Sequence, residues 1–163
     1  MPETSTVLAT FADPAEGMRV DVATGSGFTI TLDVAAAGTS RGGPGPTESI
    51  LAALAGCTSM DVASILRKKR QRAMSYQIAV SGERSDEHPR VYTRIVVEHR
   101  VAGDVEPEAL RRSIELSATN YCPVNAMLSR GVTVEHRYRL VREERDEVSA
   151  LVVTTGPQGP QLP

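Results

Sequence analysis

Residues 43–72 read GPGPTESILAALAGCTSMDVASILRKKRQR. Beyond the Gly/Pro opening, residues 47–72 carry no proline, and their small, aliphatic and long-chain side chains favour helix. Ile50, Leu51, Leu54, Val62, Ile65 and Leu66 recur at helical spacing, so this is the longest expected helix. Its end carries Arg67, Lys68, Lys69, Arg70 and Arg72, cations that complement the helix dipole. Its centre, Ala52-Ala53-Leu54-Ala55-Gly56-Cys57-Thr58-Ser59-Met60, is rich in small residues. Such residues let another backbone approach closely, or leave room for a ligand. At about 100° per residue, Ile50, Leu54, Asp61 and Ser64 lie within about 60° of Cys57. The thiol therefore shares a mostly apolar stripe with one carboxylate.

On both sides of this helix the pattern changes to strands. Before it, TVLATF (6–11), Met18 to Val22 and Phe28 to Leu32 are β-prone, with Gly25-Ser26-Gly27 as a hairpin connection. Residues 36–46 form a Gly/Pro-rich loop. After it, Met74, Tyr76, Ile78 and Val80 alternate on one strand face, and Ile95, Val97, His99 and Val101 on the next. A polar turn over 81–90 separates them. Residues 105–119 read as an amphipathic helix with Pro107 near its start. A short helix starts near Cys122 and ends at Gly131. The last strand places Val132, Val134, His136, Tyr138 and Leu140 on one face. REERDE (142–147) reads as a charged hinge, SALVVTT as an added edge strand and GPQGPQLP as a frayed tail. The expectation is an α+β chain with an antiparallel sheet of about six strands and two or three helices. Residues 1–141 form a single domain and 142–163 an extension.

Composition narrows the function. The 163 residues hold 18 Lys+Arg and 20 Asp+Glu, a formal charge of −2, which is no profile for a basic nucleic-acid binder. Two cysteines cannot make a disulfide-dense secreted scaffold. No apolar run is expected to reach the roughly 20 residues that span a bilayer. The N-terminus lacks a basic segment followed by an apolar one, so no signal peptide is expected. A reducing cytoplasm is the default compartment, where both thiols start reduced. Aromatics are 4% and tryptophan is absent, so the core must be aliphatic.

The motif scan is mostly negative. There is no phosphate loop, dinucleotide fingerprint, HExxH or GxSxG. His99 and His136 sit on apolar strand faces and read as core or interface histidines, and His88 as a turn residue. The three histidines lack metal-ligand spacing, so no metal is expected. Cys122 opens a helix and precedes Pro123, a position where the orphan N–H groups lower a thiol's pKa. From the residues alone, two inert buried cysteines are favoured over a reactive pair, since free cysteine is commonly buried.

Residues 43–72 and the second stretch, ATNYCPVNAMLSRGVTVEHRYRL, together resemble the OsmC/Ohr family. They share its Gly/Pro loop, its Ala-rich helix with a central Cys, and its second Cys followed by Pro and an apolar helix. The resemblance covers roughly residues 5–141 in element order. It implies an intertwined homodimer, with antiparallel sheets wrapped around long central helices and active sites at the subunit interface. It also implies thiol-dependent reduction of organic hydroperoxides, with Cys57 matching the peroxidatic cysteine and Cys122 the resolving one. A dithiol reductant, a lipoyl group on a protein in well-studied members, would restore the pair, and the resemblance implies no organic cofactor. The family's Arg and Glu hold the cysteine as thiolate. Here the position after Pro46 is Thr47, and the acid is Glu48, which also suits a helix N-terminus. Arg19 and Arg41 are the candidate arginines. The alternatives are a redox sensor or small-ligand-binding dimer without efficient turnover, and a structural dimerisation module whose sulfurs lie far apart.

Overall fold

The computed structural model describes residues 3–35, 42–143 and 146–163. It divides into two compact units, Met1–Ile50 and Leu51–Pro163.

The first unit is a three-stranded antiparallel sheet, β1 (Val7–Phe11), β2 (Val20–Thr24) and β3 (Thr29–Leu32), in that order. The expected strands and hairpin are present. The β2–β3 turn closes through Gly27 N–H donating to Thr24 O, and Gly27 has φ 91°, a conformation glycine adopts without a Cβ clash. Val7, Leu8, Phe11, Phe28 and Ile30 are all exposed. A small sheet with its apolar side chains in water lacks the burial needed to stand alone.

Helix α1 (Pro46–Lys68) begins in the first unit and continues into the second. Its buried residues, Leu54, Thr58, Val62 and Leu66, follow one another at four-residue steps and form a single stripe. Among the described residues it is one helix long and apolar enough, by length and composition, to cross a bilayer. This corrects the expectation that no run reaches that length, because Ala, Gly, Cys and Met extend the apolar character between the aliphatic positions. The helix also ends earlier than residue 72. Arg70 takes a left-handed φ of 57°, its N–H donates to Arg67 O, and Gln71 N–H donates to Leu66 O. That is a Schellman-type stop. No glycine announces it, so the sequence pattern runs past it.

The second unit carries a four-stranded sheet in the order β4 (Arg72–Arg84), β5 (Tyr92–Asp104), β6 (Thr133–Glu143), β7 (Asp146–Thr155). β4–β5 and β6–β7 are antiparallel, whereas β5–β6 is parallel. The expected all-antiparallel sheet is thus corrected. A parallel pair needs a crossover, and α2 (Pro107–Leu116), a π-helical turn (Ser117–Tyr121) and α3 (Pro123–Leu128) supply it. The strands outrun the expected ones: β4 continues through the polar residues to Arg84, since ladder hydrogen bonds do not depend on side-chain polarity. The expected edge strand is present as β7. The tail is tied back, with Gln161 and Thr154 exchanging backbone hydrogen bonds of 2.7 and 2.9 Å.

Two apolar clusters lie within this unit. One joins Val62 and Leu66 of α1 to Val101, Leu110, Ile114, Leu140 and Val152. The other joins Leu54 to Ile95, Val97, Val134 and Cys122, with Cys57 at its margin. A bulge between His136 and Arg137 lets the adjacent Val152 and Val153 of β7 both face inward.

Candidate functional site: a dithiol beside a carboxylate

The site begins with the stripe of α1. Burying Leu54 and Thr58 on the sheet brings the adjacent Cys57 to the edge of the core, half-buried. One turn further, Asp61 is also half-buried. Cys122 arrives from the crossover. The π-helical turn over Ser117–Tyr121 shifts the chain by one residue, with Cys122 N–H donating to Ser117 O at 2.9 Å. Cys122 is the N-cap of α3, its sulfur accepts from Asn125 N–H at 3.3 Å, and Pro123 occupies the first turn. Thr58 Oγ1 donates to the same sulfur at 3.5 Å.

The two sulfurs meet. Cys57 Sγ and Cys122 Sγ are 2.8 Å apart and both thiols are free. The structural-module reading, which needs separated sulfurs, is therefore overturned. Asp61 completes the group: the sulfurs and a carboxylate oxygen all lie within 4.8 Å of one another. Ser117 Oγ holds Asp61 Oδ2 at 3.0 Å.

The electrostatics oppose an easy thiolate at Cys57. Burial pushes its pKa up to about 11 from an ordinary 9.0, and the hydrogen bond to Cys122 adds to this. The Val124 backbone acts in the opposite direction, while the charges of Cys122 and Asp61 raise the value further. A thiol near pKa 11 is about one part in ten thousand ionised at pH 7. Iodoacetamide should accordingly modify Cys57 about tenfold faster with each pH unit from 7 to 10. A rate that levels off near pH 7 would show that a cation outside this unit holds the thiolate.

A buried polar chain stands behind Cys122. Asn125 is fully buried, and its Nδ2 donates to Ala118 O at 2.8 Å, which fixes the amide orientation. Its Oδ1 must then accept, so His136 Nε2 donates to it at 3.0 Å. His99 Nδ1 meets Tyr76 Oη at 2.7 Å. The two imidazole rings are 6.0 Å apart, and His99 Nε2 and His136 Nδ1 have no partner among the described residues. The core reading of both histidines holds, with each half satisfied. Burial lowers both pKa values, His136 to about 4.

The other expected residues lie in the first unit. Arg19 is exposed and pairs with Asp21 at 3.7 Å. Glu48 is exposed in the first turn of α1 and accepts from Gly45 N–H at 3.4 Å, an arrangement that stabilises a helix start. Arg41 lies outside the described residues. Thr58, Ser117 and Asn125 were not foreseen. An Asn three residues after Cys122, inside an otherwise apolar helix, is the available signal for the last of them.

Known proteins share this arrangement of elements. A family model for OsmC-like protein matches residues 37–137. Protein YhfA of Escherichia coli is 39% identical over 99 residues, covering 60% of this chain and 74% of that protein. A hypothetical protein from Aquifex aeolicus superposes with a TM-score of 0.76 at 29% identity, over 88% of this chain and 100% of that one. An organic hydroperoxide resistance protein OsmC from Legionella pneumophila, described as a predicted redox protein, gives a TM-score of 0.61 at 14% identity, over 86% and 98%. The last likeness is one of fold alone. The family match spans the dithiol, the helix that carries it and the crossover that brings the second sulfur to the first, and by it the chain belongs to the OsmC-like protein family.

Proposed function

We propose that the chain is a thiol-dependent peroxidase for organic hydroperoxides, with Cys57 attacking and Cys122 resolving. The observation that carries this is the 2.8 Å approach of two free thiols. In the first step Cys57 sulfur bonds the terminal peroxide oxygen, the O–O bond breaks, and the alkoxide takes a proton and leaves as alcohol. The sulfenic acid so formed lies beside Cys122, whose thiolate displaces its hydroxyl as water and closes the disulfide. A small dithiol of the lipoyl type then reopens it by exchange. Cys57 is open to the surface on one side while Cys122 is 2% exposed, which favours this order of roles. Arg19 and Glu48 stay candidates for holding the thiolate on the resemblance alone.

The same reading makes the protein a homodimer working in a reducing compartment such as the cytoplasm. The exposed apolar side chains of β1–β3, with Ile50 and Met60 on α1, favour a second copy as their cover. Residues 1–141 would form the OsmC-like domain, with 142–163 as an extension.

A second reading has its own observation, the raised pKa of Cys57. It is a redox sensor or ligand-binding dimer that oxidises once and turns over slowly. One experiment separates the two. Reduced protein is given one equivalent of cumene hydroperoxide, and its mass and peptide map are followed, then turnover with a dithiol. The peroxidase gives a fall of about 2 Da, a Cys57–Cys122 peptide and sustained peroxide loss. A disulfide without sustained loss supports the sensor. Intact thiols after peroxide treatment sink the peroxidase and the sensor and leave the ligand-binding dimer.

A further inference from the structure

The geometry points to a metal site: Cys57, Asp61 and Cys122 together bind a thiophilic divalent cation, zinc, when the pair is reduced. Their ligand atoms already converge within 4.8 Å, from three side chains on two elements. Cys57 and Asp61 stand four residues apart on α1, a spacing that presents both to one side of a helix, and Cys122 faces them from the crossover.

The donor set is selective. Two thiolates with one carboxylate suit zinc, whereas magnesium and calcium prefer oxygen alone. Three protein ligands leave the fourth tetrahedral position to water or another molecule. An approach exists on the Asp61 side, where a cleft of about 470 Å³ is lined by Asp61, Ser64, Ile65, Lys68, Lys69, Leu116 and Tyr121.

The outer contacts suit a metal as well. Ser117 Oγ orients the Asp61 carboxylate, and Thr58 Oγ1 and the Asn125 N–H both point at the Cys122 sulfur. Donors to a bound thiolate and a hydroxyl on a bound carboxylate are the partners that fix ligands around zinc. One adjustment is required. Zn–S bonds of about 2.3 Å at a tetrahedral angle hold two sulfurs about 3.8 Å apart. The present 2.8 Å must open by about 1 Å, which a rotation of the half-buried Cys57 side chain supplies.

The metal would regulate the same thiols. A cation holding both sulfurs keeps them from peroxide and from alkylation. A disulfide offers no thiolate, so the oxidised protein releases the metal. This site depends on the reduced pair and not on peroxidase turnover, so the two ideas can fail separately.

The test uses the reduced full-length chain under anaerobic conditions, with no peroxide present. Zinc is titrated against a chromophoric chelator, and cobalt is added as a spectroscopic probe. The expected result is one zinc per chain, with thiolate-to-cobalt charge transfer and intense tetrahedral visible bands. Asp61→Asn and Ser117→Ala should each weaken zinc about tenfold or more, while either Cys→Ser variant should abolish the charge-transfer band or halve it. Circular dichroism confirms that each variant is folded. Absence of stoichiometric zinc in the wild type overturns the site. So does zinc binding that is indifferent to both Asp61→Asn and Ser117→Ala.

Discussion

Cys57→Ser should lower hydroperoxide consumption by on the order of 10³-fold or more, to the rate of dithiol and peroxide alone. The chemistry needs a polarisable sulfur that can accept oxygen and then be attacked at the same atom. A serine hydroxyl can do neither, although it fits the space at the margin of the Leu54 cluster. Cys122→Ser should behave differently. Its first oxidation should proceed and leave a sulfenic acid on Cys57 that dimedone traps, while the intramolecular disulfide is lost. Because Cys122 Sγ accepts from Thr58 and Asn125, serine at that position can keep the same donors, and the fold should persist. Equal peroxide loss in wild type and Cys57→Ser would end the peroxidase reading. Equal loss in wild type and Cys122→Ser, with no disulfide in either, would remove Cys122 from the cycle.

Acid should destabilise the protein by about 3 kcal/mol or more between pH 6.5 and pH 4, through the buried histidines. His136 titrates near 4 in the fold against an ordinary 6.5, and His99 is shifted the same way by burial and by the neighbouring His136. Protons therefore bind the unfolded chain first as pH falls. The stabilisation is complete above pH 6.5 and drains away through the folded value. The structural cause is visible at His136. Its Nε2 already donates to Asn125 Oδ1, and a second proton on Nδ1 would find no acceptor among the described residues. The carboxylates paired with arginine, Glu98, Glu108 and Glu135, are lowered from 4.5, so their losses begin near 4.5 and run below it, overlapping only the acid end of the histidine window. Denaturant midpoints measured from pH 8 to pH 4 should be flat down to about 7 and then fall. His136→Gln should fall less steeply across that window. A wild-type midpoint unchanged from pH 7 to pH 4.5 would contradict the assignment.

Much of the fold was legible because apolar periodicity states which face of an element is buried. The alternations Ile95, Val97, His99, Val101 and Val134, His136, Tyr138, Leu140 anticipated two strands and their buried faces, which the structure sets side by side. Their parallel pairing was not legible, since alternation is the same in either direction and only the crossover decides it. The stop at Arg70 was hidden for a related reason: a left-handed arginine carries no sequence signal, whereas a glycine would have.

At the site, the sequence named Cys57 and Cys122 and placed Asp61 on the Cys57 side of the helix. It placed Cys122 at a helix start before Pro123, as found. These are local properties, set by residues within one or two turns. Contact between the sulfurs, the hold of Ser117 on Asp61 and the link from His136 through Asn125 join residues between 11 and 65 positions apart. No local pattern encodes such distances. They follow from the packing of α1 and the crossover in this unit, and that packing brings two cysteines and an aspartate into one cluster.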